Sequence, residues 1–553
     1  MNPLGTVAMA TEPASQKAEY FYISSGGPYG HRRCRNRFAA IFANKKTKGT
    51  SMYRSRAIQS NVIAVLTVFA TVFALGNTSA SAAARCDRLL ELLKTRIADA
   101  TCVESTDLTT ANPATTPPNN SLPGLPQFAF TPQTDRDMIA PPAGSRTPIA
   151  KAVPGSQLQA RIADDPLGQA RILIRLPDDW NGKLVVAGAS GTRSEFNGDF
   201  VWSDYVVQKG YAYVSQNKGM YNLFVSTAAD PLACRLNPNS GTFARFYGND
   251  PAAVFTRWNE IMLAATEIGR AALEIGYGRH PARTYAVGTS NGGYQVRRAV
   301  ETAPHLFDGG VDWEGTFVNP DAPNLLSALP TAILNYPDYA ASGFSSSSTA
   351  AKNIRGAGYP PDMTIVESAT SLWGLHWNQF WEVILCQWQK RLDPSYNTYV
   401  SGTGTYVYVN RLSGSDVGAN IAAFATTGRI KRPLITVAGT MDGLLPIDLH
   451  ARAYARKVAV ALRHDVDPGN LPSERGTPEY RLYEVQNGNH IEAFATTFPR
   501  LEFIQPHAQK AFDLLVAKVE QAAALPPSQC IPIGGEIAAT PAQPGHCASL
   551  LGR

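Results

Sequence analysis

Three short stretches carry residue types that could do covalent chemistry together. The first, "AVGTSNGGYQVRRA", holds Gly288-Thr289-Ser290-Asn291-Gly292, a G-x-S-x-G pattern directly after an apolar run and before a helical one. A serine on a sharp strand-to-helix turn has a strained backbone, and a Cβ at either glycine would strike the adjoining strand or helix, so glycine is the residue that fits there. A hydroxyl is a weak nucleophile at neutral pH and needs a base, which in turn needs an orienting acid. The second stretch, "VAGTMDGLLP", offers Asp442, and the third, "EVQNGNHIEA", offers His490, each just beyond a strand-like run. Read alone, each could be an ordinary turn residue. Asp312 and Glu314 in "GGVDWEG" are rival acids, since that loop also follows a strand.

An acyl-transfer site also needs donors for the oxyanion. The backbone N–H of Asn291, next after the serine, is one candidate. Ser190, Gly191 and Thr192, in "AGASGTRSEF" after an early strand, are candidates for the second.

These residues can meet only if the chain folds as a largely parallel sheet, whose strand C-terminal ends share one rim. The hydropathy pattern predicts it. "ARILIRLP" (170–177), "KLVVAGAS" (183–190), "GYAYVSQN" (210–217), "RTYAVGTS" (283–290), "LFDGGVDWEG" (306–315), "RPLITVAGTMDG" (432–443) and "YRLYEV" (480–485) read as strands. Helical spacing covers 256–275, "IDLHARAYARKVAVALR" and "PHAQKAFDLLVAKVEQAAA". Alternating strands and helices imply an α/β architecture covered on both faces.

Ser290 and Asp442 are too far apart in sequence for two strand–helix units alone. The excess, residues 319–427, is expected to be an inserted cap that chooses the substrate. It contains "SGFSSSSTA", which reads as a flexible loop, and Trp373, Trp377, Trp381, Ile384 and Trp388 at near-helical spacing. That stripe is either an aromatic wall beside substrate or the packing of the cap on the core. Trp313, Glu314, Trp373 and Trp377 are the candidate substrate contacts.

The ends of the 553-residue chain have a different character. Arg54 and Arg56 precede the apolar run 62–75 and the small-residue site Ala80-Ser81-Ala82, the pattern of a secretory signal peptide with Met52 as the expected start. Residues 1–56 hold ten basic and two acidic residues, a net of +8, which leaves about −2 for the rest of a chain whose total is +6. The basicity therefore belongs to the leader, and no nucleic-acid footprint remains. Cys86, Cys102, Cys234, Cys386, Cys530 and Cys547 lie beyond the leader, and an even count in an exported chain suggests disulfides. The short separations favour Cys86–Cys102 and Cys530–Cys547. With no C-x-x-C or H-E-x-x-H spacing, no metal site is expected. The expected organisation is a leader and signal peptide (1–84), an extended arm (85–160), a core (161–318 and 428–525), the cap (319–427) and a tail (526–553).

The combination resembles the α/β-hydrolase superfamily. "RLPDDWNGKL", "GYAYVSQNKG" and "GTSNGG", in that order, resemble secreted esterases of the tannase/feruloyl-esterase type across roughly 170–494. The resemblance implies Ser290 as nucleophile, His490 as base and Asp442 as acid, acting on carboxylic esters with no metal or organic cofactor. Such enzymes usually carry a cysteine just before the serine and just after the histidine; here those positions are Thr289 and Ile491. The pattern is also similar to secreted hydroxyalkanoate-polyester and oligomer hydrolases. A binding protein on a hydrolase scaffold is the alternative from another class. In either esterase reading the partner is a small or oligomeric ester, with no nucleic acid and no stable membrane anchor once the signal is removed.

Overall fold

A computed structural model describes residues 77–115, 146–191, 194–220, 224–225, 243–244, 255–321, 323–396, 406–462 and 479–552. All of them lie in one of the two units into which the chain divides, Thr71–Arg553. The apolar run 62–75, Cys34, Thr192 and Cys234 fall outside them.

The main strands are β1 (Ile97–Ser105), β2 (Gly155–Ile162), β3 (Arg171–Pro177), β4 (Lys183–Gly188), β5 (Ala212–Gln216), β6 (Arg283–Thr289), β7 (Gly309–Trp313), β8 (Leu434–Gly439), β9 (Tyr480–Val485) and β10 (Gln529–Ile531). They form one sheet in the order β1-β2-β3-β5-β4-β6-β7-β8-β9-β10. The pairs β1/β2, β2/β3 and β3/β5 are antiparallel, and every later pair is parallel. The order reverses between β5, β4 and β6, which is where crossovers change side and loops open a crevice at the strand C-terminal ends.

Alternation sorts the side chains into two layers. Leu184, Val186, Ala286, Leu434 and Leu482 face helix α2 (Thr256–Tyr277), helix α3 (Asn291–Thr302) and helix α4 (Ala451–Leu462). Val185, Ala187, Val287, Val311, Ile435 and Val485 face helix α5 (Gln505–Gln521), chiefly Ala508, Ala511, Phe512 and Leu515. Both faces are covered, as the buried, mainly apolar β4, β6 and β8 require.

The segment expected to be an arm from residue 85 differs from that expectation. It opens with helix α1 (Asn77–Leu93), whose beginning spans Ala80–Ala82, and continues into β1, which pairs with β2 at the sheet edge. Leu89, Leu93 and Ile97 bury against the α2 side. Cys86–Cys102 fastens this helix to β1. Its apolar spacing is thin enough to miss beside the Pro/Thr/Asn-rich stretch that follows. At the other end Cys530–Cys547 closes the tail, so both short-range pairings expected from the sequence are formed. Cys386 is also disulfide-bonded.

Between β7 and β8 the described chain is mostly helical, notably Leu325–Ala341, Thr349–Gly356 and Glu382–Leu392, with a short antiparallel pair of Thr364–Ile365 and Thr370–Ser371. Trp373, Trp381, Ile384 and Trp388 are buried in an apolar cluster that this segment shares with Phe255, Trp258, Tyr294 and Phe494 outside it. The serine run is ordered by local bonds: Ser342 Oγ donates to Tyr339 O, and Ser348 caps the helix beginning at Thr349. Among the described residues no helix is long and apolar enough to cross a membrane.

Candidate active site

Ser290 stands between β6 and α3 with φ 60° and ψ −121°, a conformation that costs a non-glycine residue roughly 1–3 kcal/mol. The surrounding structure holds it there. Its N–H donates to Trp313 O (2.9 Å), and its carbonyl accepts from Tyr294 N (3.1 Å), the first turn of α3. The glycine argument holds in atoms. A Cβ on Gly288 would come within 2.4 Å of the Gly292 backbone, and one on Gly292 within 2.4 Å of Gly188 O. Gly188 and Gly288 are paired across β4 and β6, so the helix N-terminus rests on two bare strand ends.

Asp442 and His490 come together as expected. His490 Nδ1 lies 2.9 Å from Asp442 Oδ2, which places the imidazole proton on Nδ1 and leaves Nε2 as the basic nitrogen. Asp442 is anchored by its other oxygen, which accepts from Leu444 N and Leu445 N at 2.7 Å each. Burial alone would raise this carboxyl, but the charge and hydrogen bond of His490 and the loop N–H groups outweigh it and hold it below the usual range. The two loops brace each other: Met441 N donates to Gly488 O (2.8 Å), and a Cβ at Gly439 would sit 2.3 Å from that same oxygen.

Of the rival acids, Asp312 is used structurally. It is fully buried, pairs with Arg297 Nε at 2.5 Å, and accepts from Gly315 N and Thr436 Oγ1. Glu314 stands against His490, its Oε2 3.4 Å from Nδ1. Through Trp313 O and the Glu314 side chain, the serine backbone and the imidazole belong to one neighbourhood. Among the described residues no hydrogen bond reaches Ser290 Oγ. Such contacts are often loose before substrate binds.

Glu314, Asp442 and His490 have donor atoms within 4.8 Å of one another, near enough for a cation. Three of the four carboxylate oxygens already accept N–H groups, and Asp442 Oδ2 faces the imidazole. That set is built to orient a histidine.

Asn291 begins α3, where backbone N–H groups lack helical partners. Ser190 is buried and its hydroxyl has no partner among the described residues, while its N–H lies 3.4 Å from Asn197 Oδ1. Gly191 lends its carbonyl to Lys218 Nζ. Gln295, which the sequence reading passed over, holds these loops together. Its amide donates to Ala189 O (2.9 Å) and Asn291 O (3.0 Å), and it accepts from Gln216 (2.7 Å). Its position one turn after Ser290, at the elbow where strand passes into helix, was the available signal.

The aromatic candidates divide. Trp313 meets Trp202 edge-on in the layer beneath the site (6.4 Å between ring centroids) and donates to Glu314 Oε2 (3.1 Å), so it is placed as a support for Glu314 and not as a wall of a pocket. Trp373 is likewise buried, its indole N–H on Pro360 O. Trp377 stays partly exposed, its ring against Tyr336 at 4.9 Å. His376 was also missed. It is fully buried from the helical segment, lies against Gly443, and has Nε2 3.3 Å from the Asn489 amide. Burial pushes its imidazole down to about 3, so it is neutral.

A family model described as 3HB-oligomer hydrolase matches residues 400–546, the stretch containing Asp442 and His490. A D-(-)-3-hydroxybutyrate oligomer hydrolase of Burkholderia thailandensis is 32% identical over 134 residues, 23% of this chain and 17% of that protein. The one of Burkholderia vietnamiensis is also 32% identical over 134 residues, 18% of its length. The match thus spans under a fifth of these relatives. Among solved structures, feruloyl esterase B from Aspergillus oryzae is 14% identical with a TM-score of 0.45, covering 80% of this chain and 91% of that one. Tannin acyl hydrolase from Aspergillus niger is 12% identical with a TM-score of 0.44, covering 80% and 88%.

Proposed function

We propose that the protein is a serine hydrolase of carboxylic esters. Ser290 attacks the ester carbonyl and gives its proton to His490 Nε2. Asp442 keeps the imidazole in the required tautomer and stabilises its cationic form. The N–H of Asn291, with a second donor from the 190–191 loop, receives the oxyanion. His490 then protonates the leaving alcohol, and water attacks the acyl-enzyme by the same route to release the acid. The observation that carries this reading is the 2.9 Å His490–Asp442 bond, in a protein whose Ser290, at the end of another strand of the same sheet, is held at φ 60°.

The substrate we favour is a short 3-hydroxybutyrate-type oligoester, because the family match covers the loops bearing both acid and base. Phenolic acyl esters, the feruloyl and galloyl class, are the second reading, on the quoted sequence segments between 175 and 293. We further propose that residues 319–427 cap the site and that the chain is exported. Two disulfides in the described residues accord with an oxidising compartment.

The test is a panel of p-nitrophenyl, feruloyl, galloyl and hydroxybutyrate-oligomer esters on wild type and Ser290→Ala, with fluorophosphonate labelling alongside. Hydrolysis of one class that falls at least about 10³-fold in the mutant, with loss of labelling, is the expected result. Full activity in Ser290→Ala removes the assignment.

A further inference from the structure

Glu314 is a costly residue in its setting. It follows β7 with φ 51°, the left-handed region that a residue with a Cβ rarely takes. Its N–H donates to Val437 O (2.8 Å), which locks the main chain onto β8. The side chain is almost wholly buried. Oε1 accepts from Gly439 N (3.0 Å), and Oε2 accepts from Trp313 Nε1 (3.1 Å). These bonds aim Oε2 at His490 Nδ1, 3.4 Å away, the same nitrogen that Asp442 holds at 2.9 Å.

We infer that the orienting acid of this site is a carboxyl pair, Asp442 and Glu314, which shares one negative charge across a single imidazole nitrogen. This rests on the proposed serine-hydrolase reading and deepens it. Asp442 is the ionised member and Glu314 the protonated one, a positioning residue that acts through His490. Two buried carboxylates beside one nitrogen cannot both ionise cheaply. Burial, then the Asp442 charge, push the Glu314 carboxyl well above its usual range. The groups facing the pair agree with that division. On the His490 loop Glu492 adds a further acid, itself raised to about 7 by burial. From the other side His376, His450 and Tyr359 face Asp442, the two histidines neutral.

The pair has a consequence that a lone acid lacks. When the Asp442 charge is removed, the main repulsion on Glu314 disappears. Burial still opposes the charge, so Glu314 ionises at a lower pH than in the wild type, releases its proton to solvent and then accepts the Nδ1–H in place of Asp442. Asp442→Asn should therefore lower kcat/KM by about 10–10²-fold, against the about 10⁴-fold loss seen where a triad acid has no substitute. The remaining activity should rise with pH as Glu314 ionises. Glu314→Gln alone should cost less than about tenfold, because the wild-type group is already neutral and loses one acceptor. The double variant should be slower than the product of the single effects, by at least about tenfold, and should lack the rise with pH. Asp442→Ala, which cannot point an amide N–H at Nδ1, serves as the second background.

A structural role for Glu314 would lower the rate by the same factor in every background and leave the profile of the Asp442 variants unmoved. Equal rates and profiles for Asp442→Asn and the double variant, in an active wild-type protein, overturn the pair while leaving the esterase reading standing. The protonation itself is read without turnover, in Ser290→Ala protein at neutral pH. Infrared difference spectra should show a protonated-carboxyl C=O band that Glu314→Gln removes and that, in Asp442→Asn, gives way to a carboxylate band at a lower pH than with Asp442 in place. No such band in the difference with Glu314→Gln refutes the shared charge whether or not any ester is cleaved.

Discussion

The elbow permits a worked prediction. Gly292→Ala places a Cβ 2.4 Å from Gly188 O and 2.8 Å from Gly188 C, both main-chain atoms at the end of β4. Ordinary contact begins near 3.5 Å, so α3 and β4 must part by about 1 Å. No side chain can swing aside to absorb that. Overpacking of this kind costs about 1–3 kcal/mol, and the upper end applies because both partners are backbone. The displaced helix start also carries Asn291 and, through it, Ser290. A shift of about 1 Å at the reacting atoms costs about 10²-fold in rate. Gly356→Ala is the matched control. It closes the helix Thr349–Gly356, its Cβ would meet nothing within 4 Å, and its φ is not positive. It should keep full activity and gain up to about 1 kcal/mol. Thermal denaturation and ester hydrolysis, measured together on both variants, decide the matter. A Gly292→Ala protein that melts and turns over like wild type would mean that the packed elbow is not what holds the serine.

Three further outcomes are expected. Burial lowers His450 to about 3, and its Nδ1 accepts from Phe317 N (3.0 Å), so it folds neutral. The unfolded chain takes up the proton near pH 6.5, so this stability is complete above that value and falls as the pH drops toward 3; denaturant titrations of wild type and His450→Gln should converge by about 2 kcal/mol between pH 7 and pH 5. Cys530→Ser should cost up to about 3 kcal/mol and lower the temperature at which activity is lost, because the segment beyond Cys547 that it fastens reaches the site loops, Leu550 O accepting from Thr440 Oγ1 and Gly552 N donating to Asn487 Oδ1; unchanged melting in the variant would show that this tail adds nothing to stability. Trp388→Ala should destabilise by about 3–5 kcal/mol, whereas Trp377→Ala, partly exposed, should leave melting nearly unchanged and raise KM for bulky esters; the reverse pattern in melting curves and kinetics would refute the division of the stripe.

The strands, the crossover helices and the elbow were legible along the chain. Period-two and period-3.6 patterns are local, and a G-x-S-x-G turn advertises its own steric need. The two short disulfides were legible for the same reason, since loops of this length close readily. The helix and edge strand at 77–105 were not, because an edge strand with one exposed face carries a weak pattern. The pairing of Asp442 with His490 was visible only as chain order; their 2.9 Å contact depends on β8 and β9 lying side by side. What tertiary structure alone decided was which acidic residue does what. Asp312, Glu314 and Asp442 look alike in sequence, each at a strand end. Packing gives the first to Arg297, turns the second back at a positive φ toward the imidazole, and gives the third the shorter contact. A carboxyl's role is set by the charges and donors around it, and those come from strands far apart in the chain.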